Sequence, residues 1–349
     1  MTQNKYKLVS TEYFTFISGP CAIESEKMAM MTAEFLKNIS EKLNINFIYK
    51  SSFDKANRSS VESKRGVGIT KGLEILNKVR NEFNIPVLTD VHEYTPFDEV
   101  ADVVDVLQTP AFLCRQTDFI VKVASTEKPI NIKKGQFMSP EEMKFVVKKA
   151  QSTGNKSIYL CERGYMFGYN NLVSDMRSLV VLKENDCPVV YDASHSVQRP
   201  GANNGASSGD RRYISPLAKA ATAVGIDALF IESHPDPSSA ISDGDNCLNI
   251  NDIEGLLKEV IKIHLETKDA LDKDIKNNKD LIEKEIEKEI LKAQNEISEL
   301  KKGSISDIQK ISENIASNII ETISGDKLNE SSIKAAVEDI SKKNLGKYL

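Results

Sequence analysis

Residues 46–60 read Asn46-Phe-Ile-Tyr-Lys-Ser-Ser-Phe-Asp-Lys-Ala-Asn-Arg-Ser-Ser60, and the join inside this stretch decides the fold. Asn46–Tyr49 is a short β-rich run, and Lys50, just past its end, opens a loop carrying three cations and five Ser or Asn side chains. The same unit recurs along the chain. Phe14–Ser18, Val87–Val91, Val103–Leu107, Ile130–Ile132, Ser157–Cys161, Val189–Tyr191 and Ala228–Ile231 are further strand candidates. The residues that follow them include Cys21, Asp90, Gln108, Lys133, Arg163, His195 and Glu232. Between the strands lie amphipathic segments such as Met28–Leu43, where Met28, Met31, Phe35, Ile39 and Leu43 recur at helical spacing. Ile69–Phe83, Pro140–Gln151, Leu172–Lys183, Ile214–Val224 and Ile253–Leu265 read as helices on the same basis. Strands alternating with helices predict βαβ units and parallel sheet. A doubly wound open sheet would spread several of the eight reactive strand ends away from its single crevice, whereas a closed barrel gathers all of them at one mouth. The expectation is an α/β fold, a (β/α)8 TIM barrel over residues 1–267.

Beyond Thr267 the composition changes, with no proline, no cysteine and one aromatic residue, Tyr348. Ile286, Ile290, Ala293, Ile297 and Leu300 form one apolar stripe; Ile308, Ile311, Ile315 and Ile319 form a second; Ile333, Ala336, Val337 and Ile340 form a third. These predict two or three amphipathic helices in a C-terminal extension, residues 268–349, with a break at Gly303-Ser304 and a partner that is unknown. Two heptads are too few for a coiled-coil assignment, and with the stripes read separately no internal sequence repeat is expected.

Composition excludes several classes. A formal charge of −5 argues against a nucleic-acid binder. No run approaches the roughly 20 apolar residues of a membrane helix, and Met1–Ser10 has no apolar signal core. Five irregularly spaced cysteines do not make a disulfide framework, so a cytoplasmic location is expected.

Small anions are the ligands that the strand ends favour. Phosphate is held by forked Arg donors, Lys charges and hydroxyl or backbone donors. Lys50–Ser60 offers all of these, Ile132-Lys-Lys-Gly-Gln-Phe137 repeats the theme, and Leu160-Cys-Glu-Arg-Gly164 adds an arginine. Three basic strand ends converging on one mouth point to phosphorylated substrates. The Gly- and Ser-rich segment Gln198–Arg212 reads as a lid-like loop.

GPCAIES (19–25), KSSFDKANRSS (50–60), TDVHE (89–93), LQTPAFLCRQTD (107–118), NIKKGQF (131–137), LCERG (160–164), DASHSVQ (192–198) and ESHPDP (232–237) together resemble the Kdo-8-phosphate synthases, in that family's order and over about residues 14–265. The resemblance implies a homotetrameric (β/α)8 barrel joining phosphoenolpyruvate to arabinose 5-phosphate. Lys50, Lys55, Lys133 and Arg163 would hold phosphoenolpyruvate; Asn57, Arg58 and Ser59 would hold the sugar phosphate. Phe112 and Arg115 would reach it from a neighbouring subunit, and Asp90 and Gln108 match positions lining the pocket. The family has a metal-dependent class with Cys in its first motif, which Gly19-Pro20-Cys21 and Ile241–Asn246 resemble. Cys21, His195, Glu232 and Asp243 are then the implied ligands of one divalent ion, Zn, Fe, Mn or Co, with a thiolate disfavouring Mg. The segment 245–249 departs from the family in lacking a proline and carrying Cys247, which reads as a packing residue. His92 and His234 read as structural, Cys114, Cys161 and Cys187 as buried thiols, and His264 as a surface residue. Three alternatives stand beside this reading: the sister enzyme using erythrose 4-phosphate, whose loop typically reads Lys-Pro-Arg-Thr where this chain has Lys55-Ala-Asn-Arg-Ser59; a Schiff-base aldolase using Lys50 or Lys133; and a non-catalytic anion-binding scaffold.

Overall fold

The computed structural model describes residues 8–9, 13–58, 62–166, 171–203, 206–325 and 329–345. Eight parallel strands form the barrel: β1 (Thr15–Gly19), β2 (Asn46–Lys50), β3 (Val87–Asp90), β4 (Val106–Thr109), β5 (Ile130–Lys133), β6 (Ile158–Glu162), β7 (Val189–Asp192) and β8 (Ala228–His234), the last also pairing with the two-residue strand Leu248–Asn249. Neighbours pair in sequence order, and β8 pairs back onto β1 through Thr15–Ala228 to Gly19–Glu232, so the sheet closes. The barrel expected from the strand ends is the fold observed.

Burial on both faces explains why the strands read as short apolar runs rather than as alternating patterns. Inward-facing Ile17, Ile48, Leu88, Val106, Tyr159, Val190 and Phe230 fill the barrel. Outward-facing Phe16, Phe47, Tyr49, Leu107, Ile132, Leu160 and Leu229 pack beneath the helices. Losing one such fully buried side chain to Ala costs about 2–5 kcal/mol.

The helices are α1 (Glu26–Lys42), α2 (Ile69–Phe83), α3 (Phe97–Val103), α4 (Thr117–Ala124), α5 (Met143–Gln151), α6 (Arg177–Lys183), α7 (Ile214–Val224), α8 (Ile250–Ser324) and α9 (Glu330–Leu345). Helix α1 starts where the Ser25 hydroxyl accepts the Met28 N–H at 3.2 Å. Helix α7 stops at Gly225, whose left-handed φ of 100° admits glycine at little cost.

Several local expectations change. Leu172–Val173 is not helical but pairs with Tyr165–Met166 in a small antiparallel ribbon, so α6 begins only at Arg177. The segment after His195, expected as a lid-like loop, is built on an antiparallel hairpin, Gln198–Asn203 with Ala206–Gly209. His264 is half-buried with its ring 5.1 Å from that of Phe14, so it is a packing residue rather than a surface one. Helix α8 runs through Gly303 without a break, because one glycine costs only about 1 kcal/mol relative to Ala in a long helix.

The chain divides into two compact units, Met1–Ala270 and Leu271–Leu349. Within the first, Ile250, Ile253, Leu256, Leu257 and Val260 of α8 are buried on the barrel. Within the second, the Gln309 amide donates to the Ser341 hydroxyl at 3.1 Å and Ile333 of α9 is buried. Among the described residues no helix is long and apolar enough to cross a membrane.

Candidate active site

The C-terminal ends of the strands surround a cavity of about 250 Å³. Of the residues singled out in the sequence, Lys55, Asn57, Arg58, Asp90, Phe112, Lys133, Arg163, His195 and Asp243 line it. The approach of β1 to β2 sets the floor. A Cβ on Gly19 would lie 2.2 Å from the Lys50 carbonyl oxygen, so only glycine lets the chain turn there toward Cys21.

Four carboxylates and the cations interleave. Lys50 Nζ donates to Glu232 Oε1 at 2.7 Å, both side chains being buried. Asp90 accepts from Ser52 Oγ at 2.5 Å, Lys55 Nζ at 3.2 Å and Gln108 Nε2 at 2.6 Å. Burial alone would raise its carboxyl, but Lys55, Lys50 and Lys133 outweigh burial and hold it well below the usual range. Lys133 Nζ donates to Asp192 Oδ2 at 2.6 Å and rides 4.4 Å from the centre of the Phe230 ring. Arg163 is 3% exposed; one guanidinium nitrogen donates to Gln198 Oε1 at 2.9 Å, and the other terminal nitrogen, Nη1, has no partner. An unpaired buried donor facing a pocket is what an anionic ligand would satisfy. Arg58 donates to the Ser242 hydroxyl and to the Ile241 carbonyl at 3.3 Å.

Beside Lys50 lies a possible metal group. The ligand atoms of Cys21, Glu232 and Asp243 lie within 4.8 Å of one another. Cys21 Sγ donates to Asp243 Oδ2 at 3.2 Å, and Glu232 Oε2 is buried without a partner. Burial first, and the Glu232 charge second, push the Cys21 thiol up, so without a cation it holds its proton. Asp243 sits at a left-handed φ of 52° and accepts from Gln198 Nε2 at 2.8 Å and Ser242 Oγ at 2.7 Å. His195 is outside this tight group; its Nε2 stands 3.7 Å from Glu232 Oε1. Its Nδ1 meets Asp192 Oδ2 at 2.7 Å, which aims Nε2 toward Glu232. Thiol, carboxylates and imidazole, with an orphaned buried oxygen among them, fit a borderline divalent cation.

Not every expected residue joins the site. Gln108 is fully buried behind Asp90 rather than lining the pocket. Arg115 is exposed away from the lining, its carbonyl accepting from Lys149 Nζ at 2.9 Å. Ser59 lies outside the described residues. Cys247, Cys114, Cys161 and Cys187 are buried free thiols. His234 is fixed by Glu24 at 3.2 Å and by the Asp236 N–H at 3.0 Å, a structural arrangement. Ser52, Asp192 and Gln198, all within the quoted motifs but with no spacing that marks them as site residues, are set by the fold against Asp90, Lys133 and Arg163.

A family model described as the DAHP synthetase I family matches residues 7–269. A protein of Legionella pneumophila (strain Lens) named 2-dehydro-3-deoxyphosphooctonate aldolase is 63% identical over 244 residues, covering 70% of this chain and 89% of that protein. A protein of the same name from Francisella philomiragia is 61% identical over 250 residues, covering 71% and 91%. Match length, identity and the assembled strand-end chemistry agree: the chain belongs to the DAHP synthetase I family, among the 2-dehydro-3-deoxyphosphooctonate aldolases, also called Kdo-8-phosphate synthases.

Proposed function

We infer that the protein condenses phosphoenolpyruvate with D-arabinose 5-phosphate and water, giving 3-deoxy-D-manno-octulosonate 8-phosphate and phosphate. The observation that carries this is the 61–63% identity to 2-dehydro-3-deoxyphosphooctonate aldolases over 244–250 residues. The five buried or pocket-lining cations Lys50, Lys55, Arg58, Lys133 and Arg163 support it. Two phosphorylated anions repel each other at reacting distance, and closely placed cations offset that repulsion.

In this reading Lys133 and the unpaired nitrogen of Arg163 take phosphoenolpyruvate, with Lys50 and Lys55 on its other side. Asn57, Arg58 and Ser59 take the sugar phosphate, and Phe112, expected from a neighbouring subunit, lines the pocket of its own chain. Carbon 3 of phosphoenolpyruvate bonds to the aldehyde carbon, water oxygen bonds to carbon 2, and the carbon 2–oxygen bond to phosphate breaks. Asp90, held ionised by its lysines, accepts hydrogen bonds from the sugar's hydroxyls. Cys21, His195, Glu232 and Asp243 hold one divalent ion of the Zn, Fe, Mn or Co group. When bound, it supplies Lewis acidity for the aldehyde or the attacking water. Arg115, which stands off this pocket, serves a neighbouring subunit's site in a homotetramer. Five free thiols suit a reducing cytoplasm. Phosphate release that requires both phosphoenolpyruvate and arabinose 5-phosphate tests the assignment.

A further inference from the structure

Because α8 is one uninterrupted helix, residues on either side of Gly303 share a register, and an 11-residue repeat appears that the separate stripes conceal. Apolar pairs four residues apart recur at that interval: Leu271 and Ile275, Ile282 and Ile286, Ala293 and Ile297, Ser304 and Ile308, Ile315 and Ile319. Only Ser304 breaks the apolar series. A third position adds Leu300 and Ile311. The eight large side chains of the pairs are each at least 52% exposed, so this seam is uncovered within the second unit. Helix α9 leaves the apolar pairs free: the α8 residues of reduced exposure, Ile305, Gln309, Ser312, Glu313, Ala316, Ser317 and Ile320, centre on another face, which meets the seam's flank only at Ser312.

We propose that this seam binds the same seam of a second copy of the chain, the two helices lying parallel in a right-handed coiled coil. Period is the first reason. Eleven residues match three turns at 3.67 residues per turn, so on a straight helix the seam rotates by about 20° per repeat and a flat surface meets only part of it. A helix of the same period, coiling right-handedly, meets all of it, and a second copy has that period.

Area is the second reason. At about 100 Å² for each Ile or Leu side chain, the ten large seam residues offer roughly 1,000 Å² per copy, against about 800 Å² per partner in a stable complex.

Charge sets the direction. One flank of the seam carries Asp274, Glu285, Glu296, Asp307 and Asn318, again at intervals of eleven. The other carries Lys279, Ile290, Lys301, Ser312 and Ile323. Parallel helices set the acidic flank of one copy against the lysine-bearing flank of the other, bringing Asp274 near Lys279 and Glu296 near Lys301. Antiparallel helices set acid against acid.

Disulfide trapping in the full-length protein tests this, because the five native cysteines are buried in the barrel unit. Under mild oxidation Ile275→Cys alone and Ile315→Cys alone should each form linked dimers, while Lys284→Cys on the opposite face should not. Adding Ile286→Asp and Ile297→Asp to Ile315→Cys should abolish the linking, while adding Leu281→Asp and Leu291→Asp should leave it. Failure of both single cysteines to link, linking only when the two variants are mixed, or equal linking at residue 284 would each overturn the parallel pairing. Undiminished linking of Ile315→Cys in the Ile286→Asp, Ile297→Asp background would do the same.

Discussion

Lys50 Nζ and Glu232 Oε1 meet at 2.7 Å with both side chains closed to solvent, and Glu232, whose other oxygen is buried without a partner, forms one ligand group with Cys21 and Asp243. Removing one member of a buried ion pair leaves an uncompensated charge and costs about 3–5 kcal/mol. Lys50→Met should therefore lower Tm substantially in metal-free protein and less with a divalent cation bound, since the cation neutralises Glu232. Equal losses of Tm in both states would mean that no cation reaches this carboxylate.

Chelation should abolish turnover, and Mn²⁺, Zn²⁺, Co²⁺ or Fe²⁺ should restore it. Burial keeps the Cys21 thiol protonated without a cation, so binding must release its proton. Calorimetry in buffers of differing ionisation enthalpy should register about one proton released per ion in the native protein, and less in Cys21→Ser. Full turnover in protein that elemental analysis finds metal-free would refute the ligand set.

Arg58→Ala should reduce kcat/KM for the sugar phosphate by roughly 10²–10⁴, the loss of a charge-assisted fork to a dianion. The matching quantity is the change in kcat/KM for arabinose 5-phosphate at saturating phosphoenolpyruvate. A change under about threefold would place the sugar phosphate elsewhere.

Acid stability follows from the buried carboxylates. Asp90, Asp192 and Glu232 are all held below their usual range by neighbouring cations, against the opposing effect of burial. A folded-state pKa below the unfolded one gives stability that is complete above the unfolded value, about 4, and is lost as pH falls through the folded value. Denaturant midpoints should hardly change from pH 7 to about 5 and then fall steeply. Asp192→Asn should be less stable at neutral pH and show a shallower acid limb. A limb as steep as in the native protein would assign the acid transition to other groups.

Much of the fold was legible because a parallel barrel strand is buried on both faces and ends in a reactive residue. That is why Asn46–Lys50 and its seven counterparts stood out. Helices α3 and α4, with seven and eight residues, are too short for a 3.6-residue period to register. The hairpin after His195 was hidden by its Gly and Ser content. Within the site, Lys55, Arg58, Lys133 and Arg163 were legible as cations at strand ends. Their partners Ser52, Asp192 and Gln198 were not, because such pairing is set by closure of the barrel rather than by local spacing. The seam of α8 depended on the helix crossing Gly303, which local composition argues against.

Deleting Lys268–Leu349 should leave a folded, active barrel. The family match ends at residue 269, and the buried part of α8 ends at Val260. Comparable kcat in the truncated protein is expected, and loss of folding or turnover would make the extension part of the catalytic unit.

The central assignment is tested most directly by following phosphate release from phosphoenolpyruvate with each candidate aldose phosphate. The Asn57-Arg58 loop and the family relationship predict rapid release with arabinose 5-phosphate and far less with erythrose 4-phosphate. Equal rates with the two sugars, or preference for the shorter one, would contradict the account.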